Sequence, residues 1–590
     1  MQMKRTIASI LLFVALLLAS VMPAFASPPI GDVEPVDSPA YVRDDDKPDP
    51  YTEKQKELRA QAIDAKLHGK AVGKVHEVAK GQYVELEREG EGALWTVLGE
   101  FADFPHNNIA EPDRTVDNTT LWVPDFNRDH FMEMLFSEDP GVTSMRNFYI
   151  EQSSNRYTVH GDVTDWIPVP NNAEYYNDAP DSNVWFFIND SIDGWYQAQV
   201  AAGKTDAEIN EYLSEFDQWD RYDYDNDGNF DEPDGYIDTF QSVHAGEGEE
   251  AGGGALGEIA IWSHSWYAYS NRQGPDGQGP SINPLGGVRI GDSDYWVGKY
   301  TIQPENGGVG VFAHEFGHDL GLPDLYDTRG GENGTGFWTL MSSGSWMGDG
   351  TDDIGSKPDH MGAFEKLQLG WLNYELAYAG EKSEHKLGPV ESNTKQAQAV
   401  IVVLPEKEVV RNDGSIRTYS HYYIAEFRQY RGYDSTLEVG PYNWGFQDNP
   451  VLANWVEHFP YQDGLLISYW NTEERNNQTI RHPGEGLVLP VDAHPTAMIR
   501  PDGGVWRNRI QTFDSTFTLD PTDALTLHWD SVEDYYPSLP AVPMFDDSLS
   551  YYDELNPQGS VIVPNTGTQI RIQSISAQNS FMQIQVRPAK

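Results

Sequence analysis

The 590-residue chain has no cysteine. Disulfide staples are therefore excluded, and its stability must come from core packing and bound ions. Basic residues are few: 40 Lys and Arg face 92 Asp and Glu, a formal net charge of −52. Nucleic acid, whose phosphates recruit Lys and Arg, is not an expected partner. A soluble protein that binds cations is. Beyond the first few dozen residues no run is long and apolar enough to span a bilayer, so no stable membrane anchor is expected. Hydrophobic content of 39% and aromatic content of 12% suffice for sizeable cores. The length predicts about three or four domains.

The one apolar run is N-terminal. Met1 to Arg5 carries two positive charges, Thr6 to Val21 is largely apolar, and Ala24-Phe25-Ala26 has the small-x-small form of a cleavage site. Residues 1–26 therefore read as a signal peptide, with Ser27 the mature start and an extracellular, secreted location. A membrane anchor is the weaker alternative, because the run is short and ends in a cleavage site. Ser27 to Pro50 is rich in Pro and Asp and reads as an extended leader. Thr52-x-x-Gln55 has the form of a capping box. It predicts a helix to about Leu67, with Leu58, Ala62 and Leu67 on one side. Gly69 to Gly90 alternates poorly and gives no clear element.

The stretch on which the rest depends is Val309 to Asp324, VGVFAHEFGHDLGLPD. Val309, Phe312, Ala313, Phe316 and Leu320 recur every three or four residues, which predicts a helix with one apolar face. His314 and His318 lie one turn apart on an exposed stripe, where two imidazoles can reach one tetrahedral ion. Glu315 flanks that ion and can take a proton from its water. This is H-E-x-x-H, the zinc and general-base signature of metallopeptidases. Gly321 permits a sharp turn, and Asp324 follows His318 by six, the spacing of a third zinc ligand with Asp in place of His. Glu365 and Asp327 are the alternatives for that ligand. Phe337 to Gly344, FWTLMSSG, has the form of a turn placing Met341 beneath the metal as a packing floor. The bland alternative is a packed helix with two solvated histidines.

A second cation signal lies upstream. Asp223, Asp225, Asp227, Gly228, Asn229, Asp231 and Asp234 fit the spacing of a calcium loop. Asp replaces Glu at the last position, and a strand-like segment follows where a second helix would stand, so an isolated calcium loop is expected. An acidic solvated turn is the alternative. Gly246 to Gly254 is glycine-rich but acidic, and reads as a flexible loop rather than a phosphate cradle.

Leu94–Phe101 and Tyr157–Trp166 read as strands. Asp129–Phe136, Ser144–Glu151, Ser182–Val200, Asp206–Trp219 and Pro358–Leu369 read as helices. Glu258–Trp266 is strand-like, and its lone His264 reads as a hydrogen-bonded residue. Tyr295–Ile302 is the expected edge strand to which a peptide substrate adds. From about Ala377 short β-rich runs split by Gly, Pro, Asn and Asp predict an all-β module, sandwich-like, without catalytic content. His482 and His494 there lack a helical partner and read as turn and surface residues.

HEFGHDLGLPDLYD and WTLMSSGSW closely resemble the immune inhibitor A family of secreted bacterial metallopeptidases. So do Ser144 to Tyr149, His244 to Gly254, His482 to Gly486 and Val491 to Pro495. The resemblance implies a metzincin-like fold, catalytic zinc, structural calcium, a removable propeptide and broad endoproteolysis of proteins or peptides. The resulting expectation is an α+β chain: signal peptide 1–26, propeptide 27–92 (with an ordinary N-terminal subdomain as the alternative), zinc peptidase domain 93–375 and β-rich domain 376–590. Glu315 would be the base, and His314, His318 and Asp324 the zinc ligands. Two rival readings are a calcium-dependent adhesion protein with a vestigial site and a processing protease of narrow specificity.

Overall fold

The computed structural model describes residues 45–177, 183–274, 277–332, 334–411 and 414–589. The signal segment 1–26 and the leader up to residue 44 lie outside the described residues.

The described chain opens on a helix, α1 (Pro50–Leu67). Its cap is Asp49, not Thr52: the Asp49 carboxylate accepts from the amides of Tyr51 and Thr52, each at 3.0 Å. Pro50 stands at the first turn, where a missing N–H costs nothing, and that decides the start. Leu58, Ala62, Ile63 and Leu67 form the buried stripe. At about 1.5–3 kcal/mol for each large apolar side chain, Leu58, Ile63 and Leu67 anchor the helix firmly. The segment after it holds a hairpin that the sequence did not reveal, β1 (Val75–Ala79) and β2 (Gln82–Glu85). Its strands are short, and only Val84 and Glu85 among their residues are buried, so they carry little alternation.

β3 (Gly90–Glu100) is an inner strand of the catalytic sheet, paired with a two-residue strand at Ile167–Pro168 as well as with its two long neighbours. Residue 92, the expected end of the leader, thus lies inside a core strand. The helices α2 (Arg128–Phe136) and α3 (Met145–Gln152) follow, capped by Asn127 and Ser144. Next come β4 (Tyr157–Val163), α4 (Val184–Ala201) and α5 (Asp206–Leu213). α5 stops well short of Trp219, giving way to a single tight turn at Ser214–Phe216. The remaining strands are β5 (Phe240–His244), β6 (His264–Tyr267) and β7 (Lys299–Pro304). They line up in the order β4-β3-β5-β7-β6. All neighbours are parallel except β6, which runs antiparallel to β7 at the outer edge.

Alternation along β3 explains the layers. Leu94 and Leu98 join the cluster holding Phe131, Phe148 and Phe316, while Trp95, Val97 and Phe101 join the one holding Phe187, Ile188 and Trp195. Successive side chains point to opposite faces, so helices cover both. The expected edge strand at Tyr295–Ile302 is corrected here. β7 is buried throughout and bonded on both sides, and the edge is β6. β7 alternates polar Lys299, Thr301 and Gln303 with apolar Tyr300 and Ile302, the pattern of a half-exposed strand, although both faces are buried.

The metal-motif helix α6 (Val309–Asp319) follows β7. The last helix before the β-rich half, α7 (Ala363–Gln368), is shorter than expected. The amides of His360 and Met361 are taken by the side chains of Asp434 and Gln152, at 2.9 and 2.8 Å, instead of a helical turn.

The C-terminal half is β-rich. Besides three two-stranded sheets, its strands are β8 (Tyr374–Tyr378), β9 (Ser383–Leu387), β10 (Ala399–Val403), β11 (His421–Arg428), β12 (Gly464–Asn471), β13 (Val488–Pro490), β14 (Met544–Asp546), β15 (Thr568–Ile575) and β16 (Met582–Pro588). They form one sheet in the order β8-β10-β11-β12-β13 and another in the order β9-β16-β15-β14. Val400, Tyr423 and Ile467 of the first sheet share a core with Phe545, Ile570 and Ile584 of the second. The opposite face, with Ile401, Tyr422, Ile424 and Trp470, enters the catalytic core instead. Among the described residues no helix is long and apolar enough to cross a membrane.

Candidate metal centre and active site

α6 lies against the turn that carries Met341. A Cβ on Gly317 would stand 2.7 Å from the Met341 sulfur, so only glycine permits this approach. The Tyr149 hydroxyl, from the SMRNFY stretch, donates to the Ala313 carbonyl at 2.6 Å and fixes the helix from the other side.

Each motif histidine is oriented by a backbone carbonyl. His314 Nδ1 lies 2.9 Å from Leu340 O and His318 Nδ1 lies 2.8 Å from Leu322 O. Donation from Nδ1 fixes the tautomer and leaves both Nε2 lone pairs free to bind a metal. Both Nε2 atoms are buried without a hydrogen-bond partner. Gly321, at φ +95°, turns the chain so that Asp324 comes back over the helix. Asp324 Oδ1 lies 3.4 Å from His314 Nε2 and 3.3 Å from His318 Nε2. Neither Asp324 oxygen has a hydrogen-bond partner. Bonds of 2.0–2.1 Å to a tetrahedral ion place ligands about 3.3 Å apart. The donor set therefore fits zinc.

Glu365 and Asp327 lie elsewhere. Glu365 is buried near Glu426 and Arg428, and Asp327 accepts from the amides of Arg329 and Ile480 at 2.9 and 2.7 Å. Met341 plays a supporting part: its carbonyl accepts from Leu325 N at 2.8 Å, tying the Asp324 loop to the turn below α6.

The histidine stripe is not solvated, contrary to expectation. His314 is 4% exposed and His318 1%. The leader covers them. Asp45 places Oδ2 3.6 Å from His314 Nε2 and Oδ1 3.9 Å from His318 Nε2, and the four residues form one potential metal-holding group. The Tyr326 hydroxyl donates to the same Asp45 Oδ1. The backbone around Asp45 adds to the free edge of β6: Ser265 N donates to Asp45 O at 2.6 Å, and Lys47 N to Ser265 O at 2.9 Å. Asp46 is held by Lys56 and by Lys299, the latter at 3.5 Å. Sequence reasoning missed both Asp45 and Tyr326. Their only sequence signals are an acidic Asp44-Asp45-Asp46 run and a position two residues past Asp324.

Electrostatics agree with the geometry. Burial alone would discharge His318, but Asp324 and Asp46 push its pKa up to about 9. Asp324 is pushed up by burial and pulled far more strongly down by His318 and His314, well below the carboxylate range. A field that favours positive charge at this point favours a divalent cation too. Burial, then the neighbouring Asp45, raises Glu315 well above its ordinary value, and its Oε2 is buried without a partner. A small cavity beside Glu315 is lined by Asp45, Glu250, Ser263 and Trp346.

The acidic loop is only partly assembled. Asp223, Asp225 and Asp227 bring an oxygen each within 4.8 Å of one another. Asn229 bonds Glu232, Asp231 is exposed beside Arg88, and Asp234 accepts from Tyr236 N and Asn283. A further group, Asp492, His494 and Asp514, clusters in the C-terminal half. There the His494 nitrogens face Asp514 and the Pro540 carbonyl, which satisfies the ring without a metal.

Two imidazoles, a carboxylate and an adjacent glutamate on one helix and its following turn define a metallopeptidase site. Residues 80–372 match the family described as immune inhibitor A peptidase M6, catalytic domain, and residues 416–584 the immune inhibitor A-like metallopeptidase VEG domain. The chain belongs to the immune inhibitor A metallopeptidase family. It is 37% identical over 340 residues to immune inhibitor A of Bacillus thuringiensis subsp. alesti, a match covering 53% of this chain and 46% of that relative. It is also 37% identical over 304 residues to the pre-pro-metalloprotease PrtV of Vibrio cholerae serotype O1, covering 47% of this chain and 30% of the relative. The matched part thus spans less than half of each relative.

Proposed function

We propose that this chain is a secreted zinc endopeptidase that hydrolyses peptide bonds of extracellular proteins with broad specificity. The reading rests on one observation above all, the convergence of His314 Nε2, His318 Nε2 and the Asp324 carboxylate beside Glu315. Zinc, when bound, polarises the scissile carbonyl and lowers the pKa of a water toward about 7. Glu315 takes the proton of the attacking water and passes it to the leaving amine as the C–N bond breaks. The free edge of β6 aligns the substrate main chain by strand addition once the leader is gone. The removable leader, expected over residues 27 to about 92, is cut upstream of β3, because residue 92 lies inside that strand, and the Asp223–Asp227 turn holds a structural calcium ion.

Glu315→Ala should retain zinc yet lose about 10²–10⁴-fold in casein hydrolysis. A fully active variant would end the general-base assignment. For calcium, the thermal midpoint should rise with added calcium and fall in EGTA, since a ligand that binds only the native state stabilises it. A midpoint indifferent to both would remove calcium from the fold.

A further inference from the structure

We propose that Asp45 is a fourth, leader-borne ligand of the catalytic metal, and that the Tyr326 hydroxyl bonded to it marks where the oxyanion of the reaction sits. The proposal rests on the zinc reading above and adds to it a residue from outside the catalytic domain and a further catalytic one within it.

Three ligands leave a tetrahedral ion one open place, and in a catalytic site water or substrate takes it. Asp45 Oδ2, 3.6 Å from His314 Nε2, stands at about the separation that tetrahedral neighbours keep. The side chain is delivered rigidly. Its own carbonyl and the amide of Lys47 bond to Ser265 on the edge of β6, Asp46 is clamped by Lys56 and Lys299, and Asp49 caps α1. Lys299 is itself buried, and it also lies 3.8 Å from Asp49. A carboxylate brought this deep without a cation partner would be costly. Here it meets two metal-ready imidazoles and a hydroxyl donor.

The second half follows from the shape of the group. A carboxylate with one oxygen toward the metal and the other receiving a hydroxyl resembles the tetrahedral adduct of a peptide carbonyl. Tyr326, fully buried two residues after Asp324, donates to Asp45 Oδ1. When the leader leaves, that hydroxyl faces the place vacated by the carboxylate. A donor fixed beforehand at the site of developing negative charge is what lowers the barrier of acyl transfer.

The test uses the full-length precursor in a Glu315→Ala background, which keeps the leader attached. Zinc affinity is measured by competition with a chromophoric chelator, and access to the metal by binding of a small hydroxamate probe. Asp45→Asn, close in size to the parent residue, should weaken zinc binding at least about tenfold, the range in which lost ligand support falls. It should also admit the hydroxamate that the parent precursor excludes. Glu77→Gln, on the exposed side of the β1 strand, serves as control and should leave zinc affinity unchanged. Unchanged zinc affinity in Asp45→Asn overturns the proposal, whatever the probe does. A parent precursor that binds no zinc at all would instead overturn the zinc reading itself. For Tyr326, the matured Tyr326→Phe enzyme should lose about 10²-fold in kcat with little change in KM. An unaltered kcat removes Tyr326 from the reaction.

Discussion

At the scale of single residues, the centre depends on groups that act through one another. Leu340 O and Leu322 O set the tautomers of His314 and His318, so two unremarkable carbonyls decide that the Nε2 atoms face the metal. The H-E-x-x-H triad was legible because a helix makes residues four apart neighbours, and Asp324 because Gly321 ties its position to the same helix. Asp45 was not legible, since nothing local links it to a helix some 270 residues away. Nor was Tyr326, one of 31 tyrosines. Glu365, the rival ligand, serves elsewhere. Burial first, and then Glu426, pushes its pKa from 4.5 to about 8. Because the folded form binds the proton more tightly, its stabilising effect is complete below about pH 4.5 and is lost as pH rises toward 8. Glu365→Gln should therefore show a flatter fall of the melting temperature between those limits. Equal slopes in the two proteins would show that Glu365 titrates normally.

At the scale of elements, the periodic ones were legible and the context-dependent ones were not. α2, α3 and α4 lie within a residue or two of their expected places because apolar spacing is local, as are the side-chain caps of α2 and α3. α7 came out short because side chains from Gln152 and Asp434 compete for its first amides. The hairpin β1–β2 was missed because its strands are only five and four residues long and bury few side chains. The edge role fell to β6 because strand order is a tertiary property that no single segment records. Between α1 and β1 the chain runs through an exposed link, His68 to Lys74, with Gly69 and Gly73 at positive φ. Exposed, backbone-irregular links are where proteases cut first. Limited trypsin treatment of the precursor should cut first after Lys70 or Lys74, read by mass spectrometry. A first cut elsewhere with that link intact would show that it is protected.

At the scale of the whole molecule, the two halves are not independent. Ile401, Tyr422 and Trp470 of the C-terminal sheet belong to the same core as Phe316 of α6. The sequence showed a composition shift near Ala377 but could not show that one face of the following sheet is buried against the domain before it. α1 is set between the halves. Arg59 donates to Gln368 O at 2.7 Å, Asp64 accepts from the Tyr422 hydroxyl at 2.7 Å, and Glu57 pairs with Arg475 at 2.9 Å. A cut in the link after α1 therefore does not by itself free it, since its buried side chains still hold.

That placement makes the leader a scaffold as well as a cover. If it is removed as proposed, the remaining enzyme lacks a piece packed against both halves, and a denatured molecule has no template for return. The lifetime of such an enzyme is then set by how slowly it opens, not by an equilibrium it can re-enter. After guanidinium is diluted away, the intact precursor should recover its native signal while the processed enzyme should not; equal recovery would mean that the discarded piece taught the chain nothing.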